Sequence, residues 1–124
     1  MHKYISLFFS VTFFLSACKS NNVPDGIIKP DQMINLLTDV HLTDGAMYSV
    51  RQDPDSLYKY GYARYRFIFK KHHTDTLQFR NSIRYYSTQP VQLEKMYDQV
   101  LLNLKKKTDS LNKINTKQIN ANKQ

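Results

Sequence analysis

The chain has 124 residues, of which 41% are hydrophobic, and this is enough for one small folded domain. There are 18 Lys and Arg against 10 Asp and Glu, a formal net charge of +8, and a single cysteine excludes a disulfide within the chain. The three glycines are isolated, so the sequence contains neither a phosphate-binding glycine-rich loop nor a Gly-x-Ser-x-Gly nucleophile motif.

Residues 1–17 have the pattern of a bacterial lipoprotein signal peptide. A basic start with Lys3 precedes an apolar run over residues 4–14, and the small-residue box Leu15, Ser16, Ala17 ends at Cys18. The pattern predicts cleavage before Cys18 and a lipid on its sulfur. A membrane-spanning helix needs about 20 apolar residues, more than this segment offers. An ordinary secretory signal with a spare thiol is the alternative.

Residues 18–27 are predicted to be a flexible tether after the lipidated cysteine. Their polar, Pro- and Gly-containing composition shows no apolar period. Fully extended, the segment from residue 19 to 26 reaches roughly 25–30 Å. Lys19 rather than an aspartate follows Cys18, which favours the outer membrane and its periplasmic face.

Residues 28–111 are predicted to form an all-α domain, a small bundle of about four helices. The first helix covers about residues 31–50 after Pro30. The second begins at an Asp53 N-cap and continues to His72. These two helices are joined by a short connection, which places them antiparallel.

The third and fourth helices are also marked by their N-termini. Asp75 and Gln78 form a predicted capping box for a helix that stops near residues 87–88. Pro90 starts the fourth helix, whose apolar residues alternate at four and three positions up to about Leu111. The Asn-, Lys- and Gln-rich tail, residues 112–124, is predicted to be disordered.

The second helix is unusually aromatic. The simplest interpretation is that its rings fill a small core. The alternative is a binding surface, since Tyr and Arg are enriched at binding hot spots. Tyr60, Arg64 and Phe67 lie off the main apolar stripe and are the predicted partner-binding residues, together with Tyr85.

Polar candidates for chemistry are few. Asp39 and His41, two positions apart on a helix, point to different faces and do not form an acid–base pair. His41 is expected to bond a neighbouring helix. His72 and His73 could join His41 as metal ligands, but adjacent histidines rarely converge on one ion, so no metal or other cofactor is predicted. The remaining enzyme hypothesis, an activity on glycan or lipid, would use Asp39 or Asp44.

Several segments occur in an order that resembles a family of small Gram-negative envelope lipoproteins catalogued as a domain of unknown function. The resemblance extends from about Ile28 to Leu104 and is carried by residues 38–42, residues 69–72, Phe79, Ser82, Tyr85, Tyr86, Ser87, Pro90, Leu93, Tyr97 and Val100. His73 departs from the family, where a glycine is expected in a turn that needs positive φ. The resemblance implies no activity and no site residues.

The sequence therefore predicts a lipid-anchored envelope protein that is not an enzyme and acts as a binding or scaffold module. Its expected partners are the membrane, through Cys18, and an envelope protein or an anionic polymer. Export makes nucleic acid an unexpected partner despite the basic charge, and no small-molecule substrate is indicated. A periplasmic chaperone or assembly factor for envelope proteins is the alternative function.

Overall fold

A computed structural model describes residues 23–121 of the chain. Within this range four helices and no strand are present: α1 (Pro30–Met47), α2 (Pro54–Lys71), α3 (Thr76–Ser87) and α4 (Pro90–Ala121). The predicted all-α class is confirmed. No helix in residues 23–121 is both long and apolar enough to cross a membrane.

The helix starts follow the sequence signals closely. The Asp53 carboxylate accepts a hydrogen bond of 3.0 Å from the backbone N–H of Ser56, and Asp75 accepts one of 2.8 Å from that of Gln78. The Gln78 side chain does not close the predicted capping box, because it accepts a hydrogen bond from the Thr74 hydroxyl instead. α1 ends at Met47, three residues before the predicted boundary.

A small apolar core lies where α1 meets α2 and α4. α1 contributes Met33, Leu36 and Leu37 to the core, each at most 2% exposed. The other fully buried or nearly buried apolar side chains are Ile28, Ile68, Tyr86, Met96 and Val100. α2 supplies a single large residue to this core, so most of its surface is available for other contacts.

The segment before α1, residues 23–29 and here called the strap, is part of the folded domain rather than of a free tether. Val23 and Ile27 pack against the core, and a turn at residues 24–27 is closed by a hydrogen bond from the Ile27 N–H to the Pro24 carbonyl. Gly26 has a φ of +80°, which glycine adopts without steric cost. The tether prediction is therefore wrong for residues 23–27, and residues 18–22 lie outside the described range.

The polar end of the chain differs from the prediction as well. α4 continues to Ala121, so residues 112–121 are helical instead of disordered, while 122–124 lie outside the described residues. This stretch has no Gly or Pro, and its Lys, Gln and Asn residues tolerate a helix. Every side chain from Lys105 to Ala121 is exposed, so this half of α4 contributes nothing to the core.

His73 ends α2 in the conformation that the family resemblance implies for this turn. Its φ is +51°, in the left-handed region that favours glycine. The N–H of His73 bonds the carbonyl of Lys70, and the N–H of Thr74 bonds that of Phe69. This is the hydrogen-bond pattern of a Schellman motif, and it turns the chain sharply into α3.

Candidate binding site

An aromatic groove runs between α2 and α3. Its volume is about 930 Å³, and rings make up much of its lining: Tyr58, Tyr62, Tyr65, Phe69 and Phe79. Gly61 and Ile68 are the two buried residues of α2. Gly61 lies against Met47 of α1 and also lines the groove, so the rings on the neighbouring face of α2 are left for the groove. The structure therefore places the aromatic residues of α2 mainly around a groove instead of in the core.

The ring geometry shows how the groove is built. Phe69 on α2 packs against Phe79 on α3, with ring centroids 5.5 Å apart, and this contact joins the two helices. Tyr58 and Tyr62, one turn apart on α2, stack at 6.0 Å and remain 74% and 57% exposed. Together these rings form a continuous apolar surface that is open to water.

Polar groups rim the groove. Arg66 and Lys70 from α2 and Asp75 at the start of α3 lie along its edge. The Tyr65 hydroxyl is held away from the groove by a hydrogen bond to Asp44 on α1. Burial and this carboxylate raise the pKa of Tyr65 to about 12, so the hydroxyl stays protonated and the hydrogen bond persists at neutral pH.

The interpretation that these rings fill the core is thus wrong for most of them. Tyr60 and Phe67 are 50% and 69% exposed on a different side of α2 from the groove. Periodicity identifies which residues share a face, but it does not show whether another helix covers that face. Here α1 covers one side of α2, and the remainder is left to solvent.

Three of the predicted partner-binding residues share the outer face of α2, and the fourth is elsewhere. Arg64 and Phe67 line a shallow recess of about 390 Å³ beside Leu42 of α1, and Tyr60 lies one turn before Arg64. Tyr85 is on α3, half-buried, with its ring edge-on to Tyr86 at 5.2 Å. The structure does not bring Tyr85 together with the other three.

Asp39 joins three helices through its carboxylate. Lys71 donates to Oδ2 at 2.7 Å, His72 Nε2 lies 2.8 Å from Oδ2, and Lys107 donates to Oδ1 at 3.2 Å. The Asp39 side chain is 15% exposed. Burial by itself would raise the pKa of this carboxyl, but the hydrogen bonds from these three side chains outweigh burial and hold the pKa well below its usual range.

His41 does not share a site with Asp39. Its ring packs against Tyr97 of α4 with centroids 5.7 Å apart, and its Nδ1 is 3.8 Å from the Asp44 carboxylate on the same helix. Its Nε2 is buried and has no hydrogen-bond partner among residues 23–121. The expectation that His41 bonds a neighbouring helix is therefore wrong, because the contact with α4 is a ring contact.

The histidines are distributed over different surroundings. His72 faces Asp39, while His73 occupies the turn after α2. Within residues 23–121, no three His, Cys, Asp or Glu side chains are arranged to hold a metal ion. The two aspartates of the enzyme hypothesis are also apart, since Asp39 bonds cations and Asp44 bonds Tyr65.

Comparison with known protein families matches residues 24–110 to a domain of unknown function, DUF4296. The chain belongs to the DUF4296 family. The match covers nearly all of the strap before α1, the first three helices and α4 up to residue 110, so the family domain contains the packed bundle. No curated protein and no solved structure matches the chain.

Membership of the DUF4296 family confirms the expected domain of unknown function. Two polar residues that carry the resemblance, Ser82 and Tyr86, have a structural role, because both bond the backbone of Ile28. The aromatic groove had a partial sequence signal in the ring-rich stripe of α2. The Asp39 cluster had none, since its partners are 32, 33 and 68 residues away in the chain.

Proposed function

We propose that this DUF4296 protein is a non-enzymatic binding module, anchored in the cell envelope by a lipid on Cys18. The box Leu15, Ser16, Ala17 before Cys18 supports the anchor, and these residues lie outside the described range. One acyl chain gives reversible membrane binding, and two or three give a stable anchor. Lys19 after the cysteine supports the periplasmic face of the outer membrane.

The anchor would hold the bundle close to the bilayer. Val23 of the strap packs against the core, so at most residues 18–22 connect the lipidated cysteine to the folded domain. Five residues reach at most about 18 Å when fully extended. The anchored end of the folded domain is then kept within about 18 Å of the membrane surface.

The aromatic groove between α2 and α3 is the observation that carries the binding function. A site of about 930 Å³ lined by five rings leaves a large apolar area in water in the absence of a partner. Aromatic residues beside arginine are the composition enriched in binding hot spots. The occupant we propose is a segment of another envelope protein that carries apolar side chains.

Charge defines the partner further. Arg66 and Lys70 at the rim outnumber Asp75, whose carboxylate is occupied as the N-cap of α3. Acidic residues flanking the apolar segment would therefore be favoured, and they would speed the encounter with the cleaved chain, whose formal charge is +7 because Lys3 is removed (17 Lys and Arg against 10 Asp and Glu). The outer face of Tyr60, Arg64 and Phe67 is a second, shallower candidate surface on the same helix.

Site-specific photocrosslinking in the native envelope separates the two faces of α2. A photoreactive phenylalanine replaces either Tyr62 in the groove or Tyr60 on the outer face. Tyr62 lies about one helical turn from Tyr58 of the groove, and Tyr60 lies about one turn from Arg64 of the outer face. We expect crosslinks from position 62 to concentrate on one apolar segment with acidic neighbours. Crosslinks from position 60 alone would move the site to the outer face, and no crosslink from either would contradict the proposal.

The same experiment distinguishes the assembly-factor alternative. An open groove lined by rings also suits transient binding of unfolded envelope proteins. Crosslinks from position 62 to many unrelated clients would favour this function over a single partner. Mass spectrometry of the native chain tests the anchor separately, with an acylated Cys18 at the amino terminus as the expected result.

A further inference from the structure

A polar groove of about 600 Å³ is separate from the aromatic groove and shares no lining residue with it. It is formed where α1, the C-terminal end of α2 and the middle of α4 meet. Lys71, Lys106 and Lys107 supply positive charge, and Asp39 is the one carboxylate among the residues that line it. The lysines outnumber the carboxylate by two, so the groove is electropositive whatever the protonation state of His72.

Asp39 holds two of these ammonium groups in place. Lys71 and Lys107 come from different helices, and each bonds a different oxygen of the same carboxylate, at 2.7 and 3.2 Å. An ammonium group has three N–H donors, and the Asp39 bond uses one of them. Both lysine side chains are about half exposed, which leaves the other donors directed at solvent.

Neutral donors extend the same surface. The amide side chains of Gln32, Asn35 and Asn103 line the groove beside the lysines. Asn103 and Lys107 are four residues apart on α4 and therefore project from one side of the helix. The groove thus combines fixed positive charge with more hydrogen-bond donors than the two oxygens of a carboxylate could accept.

We propose that this groove binds a phosphate group, carried by a lipid headgroup or by a soluble phosphorylated molecule. A phosphate ester offers three or four acceptor oxygens and one or two negative charges, which matches the excess positive charge and the number of donors. The site is separate from the aromatic groove, so it goes beyond the proposed function. Occupation of one site does not require the other.

Lys106 is the residue that tests the site without disturbing its framework. It lines the groove but does not bond Asp39, whereas Lys107 does. Lys105, its neighbour on α4, has the same charge and does not line the groove, so Lys105→Ala is a matched control. Thermal unfolding of both variants without phosphate establishes that each remains folded.

Binding is measured on the full mature chain in a neutral detergent at low ionic strength. Inorganic phosphate is titrated by calorimetry, and phosphatidylglycerol is added to the micelles in a parallel series. We expect saturable binding of at least one probe, weakened roughly tenfold by Lys106→Ala and less than twofold by Lys105→Ala. Tighter binding of phosphatidylglycerol, displaced by inorganic phosphate, would assign the site to a lipid headgroup, and binding of inorganic phosphate alone would assign it to a soluble ligand.

Two results would overturn the proposal. One is the absence of binding by either probe to the folded chain. The other is an equal loss in Lys105→Ala and Lys106→Ala, because this would mean that the charge of α4 attracts anions without a defined site. Neither result would affect the aromatic groove, whose crosslinking test uses different residues.

Discussion

The Tyr86 hydroxyl donates a hydrogen bond of 2.6 Å to the backbone carbonyl of Ile28, 58 residues earlier in the chain. One turn before Tyr86, the Ser82 hydroxyl accepts a bond of 2.9 Å from the N–H of the same residue. Both backbone groups of Ile28 are therefore satisfied by side chains of α3. This clamp fixes the strap that joins the bundle to the predicted anchor.

Tyr86→Phe should destabilise the domain by about 1–3 kcal/mol, because the buried Ile28 carbonyl loses its partner while the ring still fills the core. Tyr86 is fully buried, so water cannot replace the hydroxyl without rearrangement. Tyr85→Phe is the matched control, since the Tyr85 hydroxyl makes no such bond. Urea unfolding of both variants is the measurement, and equal stability of the two would contradict the role of the clamp.

The domain should lose stability as pH rises from 10 to 12. Burial is the main cause that raises the pKa of Tyr86 to about 12, and the nearby Tyr85 adds a smaller increase. The pKa of Tyr65 is also raised to about 12. Both exceed the ordinary value of 10.0, so in this window the unfolded chain releases protons that the folded chain retains. The contribution of these two hydroxyls to the free energy of unfolding is fully present below pH 10 and is lost progressively towards pH 12.

The loss of stability at alkaline pH can be assigned to Tyr86 by comparing how steeply the stability of the wild type and of Tyr86→Phe falls with pH. Urea midpoints of the wild type and Tyr86→Phe, measured at intervals from pH 9 to 12, give the pH dependence of each. The variant should start lower and decline less steeply, because one of the two shifted hydroxyls is missing. Parallel curves would show that Tyr86 ionises in the folded chain at its ordinary pKa.

His73→Gly should stabilise the domain by about 0.5–1 kcal/mol. The His73 backbone is in the left-handed region with φ at +51°, where a side chain is strained and glycine is not. His73→Ala removes the ring but keeps the Cβ, so it should give no comparable gain. Thermal unfolding of the two variants separates backbone strain from any effect of the imidazole, and a gain in both would contradict the argument.

Features that depend on neighbouring residues were predictable from the sequence, and those that depend on distant ones were not. Asp53 and Asp75 bond backbone N–H groups three residues away, so their capping roles can be predicted from the neighbouring sequence alone. Asp39 has no local signal, because its cations come from two other helices. The rings of α2 were visible as a pattern, but their exposure depends on how little of α2 is covered by α1.

Asp39→Asn should destabilise the bundle by about 1–2 kcal/mol at neutral pH, because Lys71 and Lys107 lose the anion that joins α1, α2 and α4, and His72 loses its hydrogen-bonded carboxylate. The pKa of Asp39 is depressed in the folded state, so its contribution is present above pH 4 and is lost as the pH falls below. The variant should therefore lack part of the acid destabilisation seen in the wild type.

Urea unfolding between pH 2 and 7 tests the role of Asp39. Asp98→Asn, a change of the same charge at an exposed position of α4, should behave like the wild type. Asp53 also has a lowered pKa from its capping bonds, so some acid dependence should remain in Asp39→Asn. A variant with the wild-type acid slope would show that the ion cluster does not stabilise the bundle.

Ending the chain at Leu111 should leave the stability of the bundle nearly unchanged, within about 1 kcal/mol, although residues 112–121 are helical. All their side chains are exposed, so their removal should lower the helical circular dichroism signal without removing any residue of the apolar core. Ending the chain at Leu104 should cost more, because Lys107 and its bond to Asp39 are lost with the tail. A large loss of unfolding free energy on truncation at Leu111 would contradict this prediction. It would mean that the distal half of α4 makes a stabilising contact, such as one with a second copy of the chain.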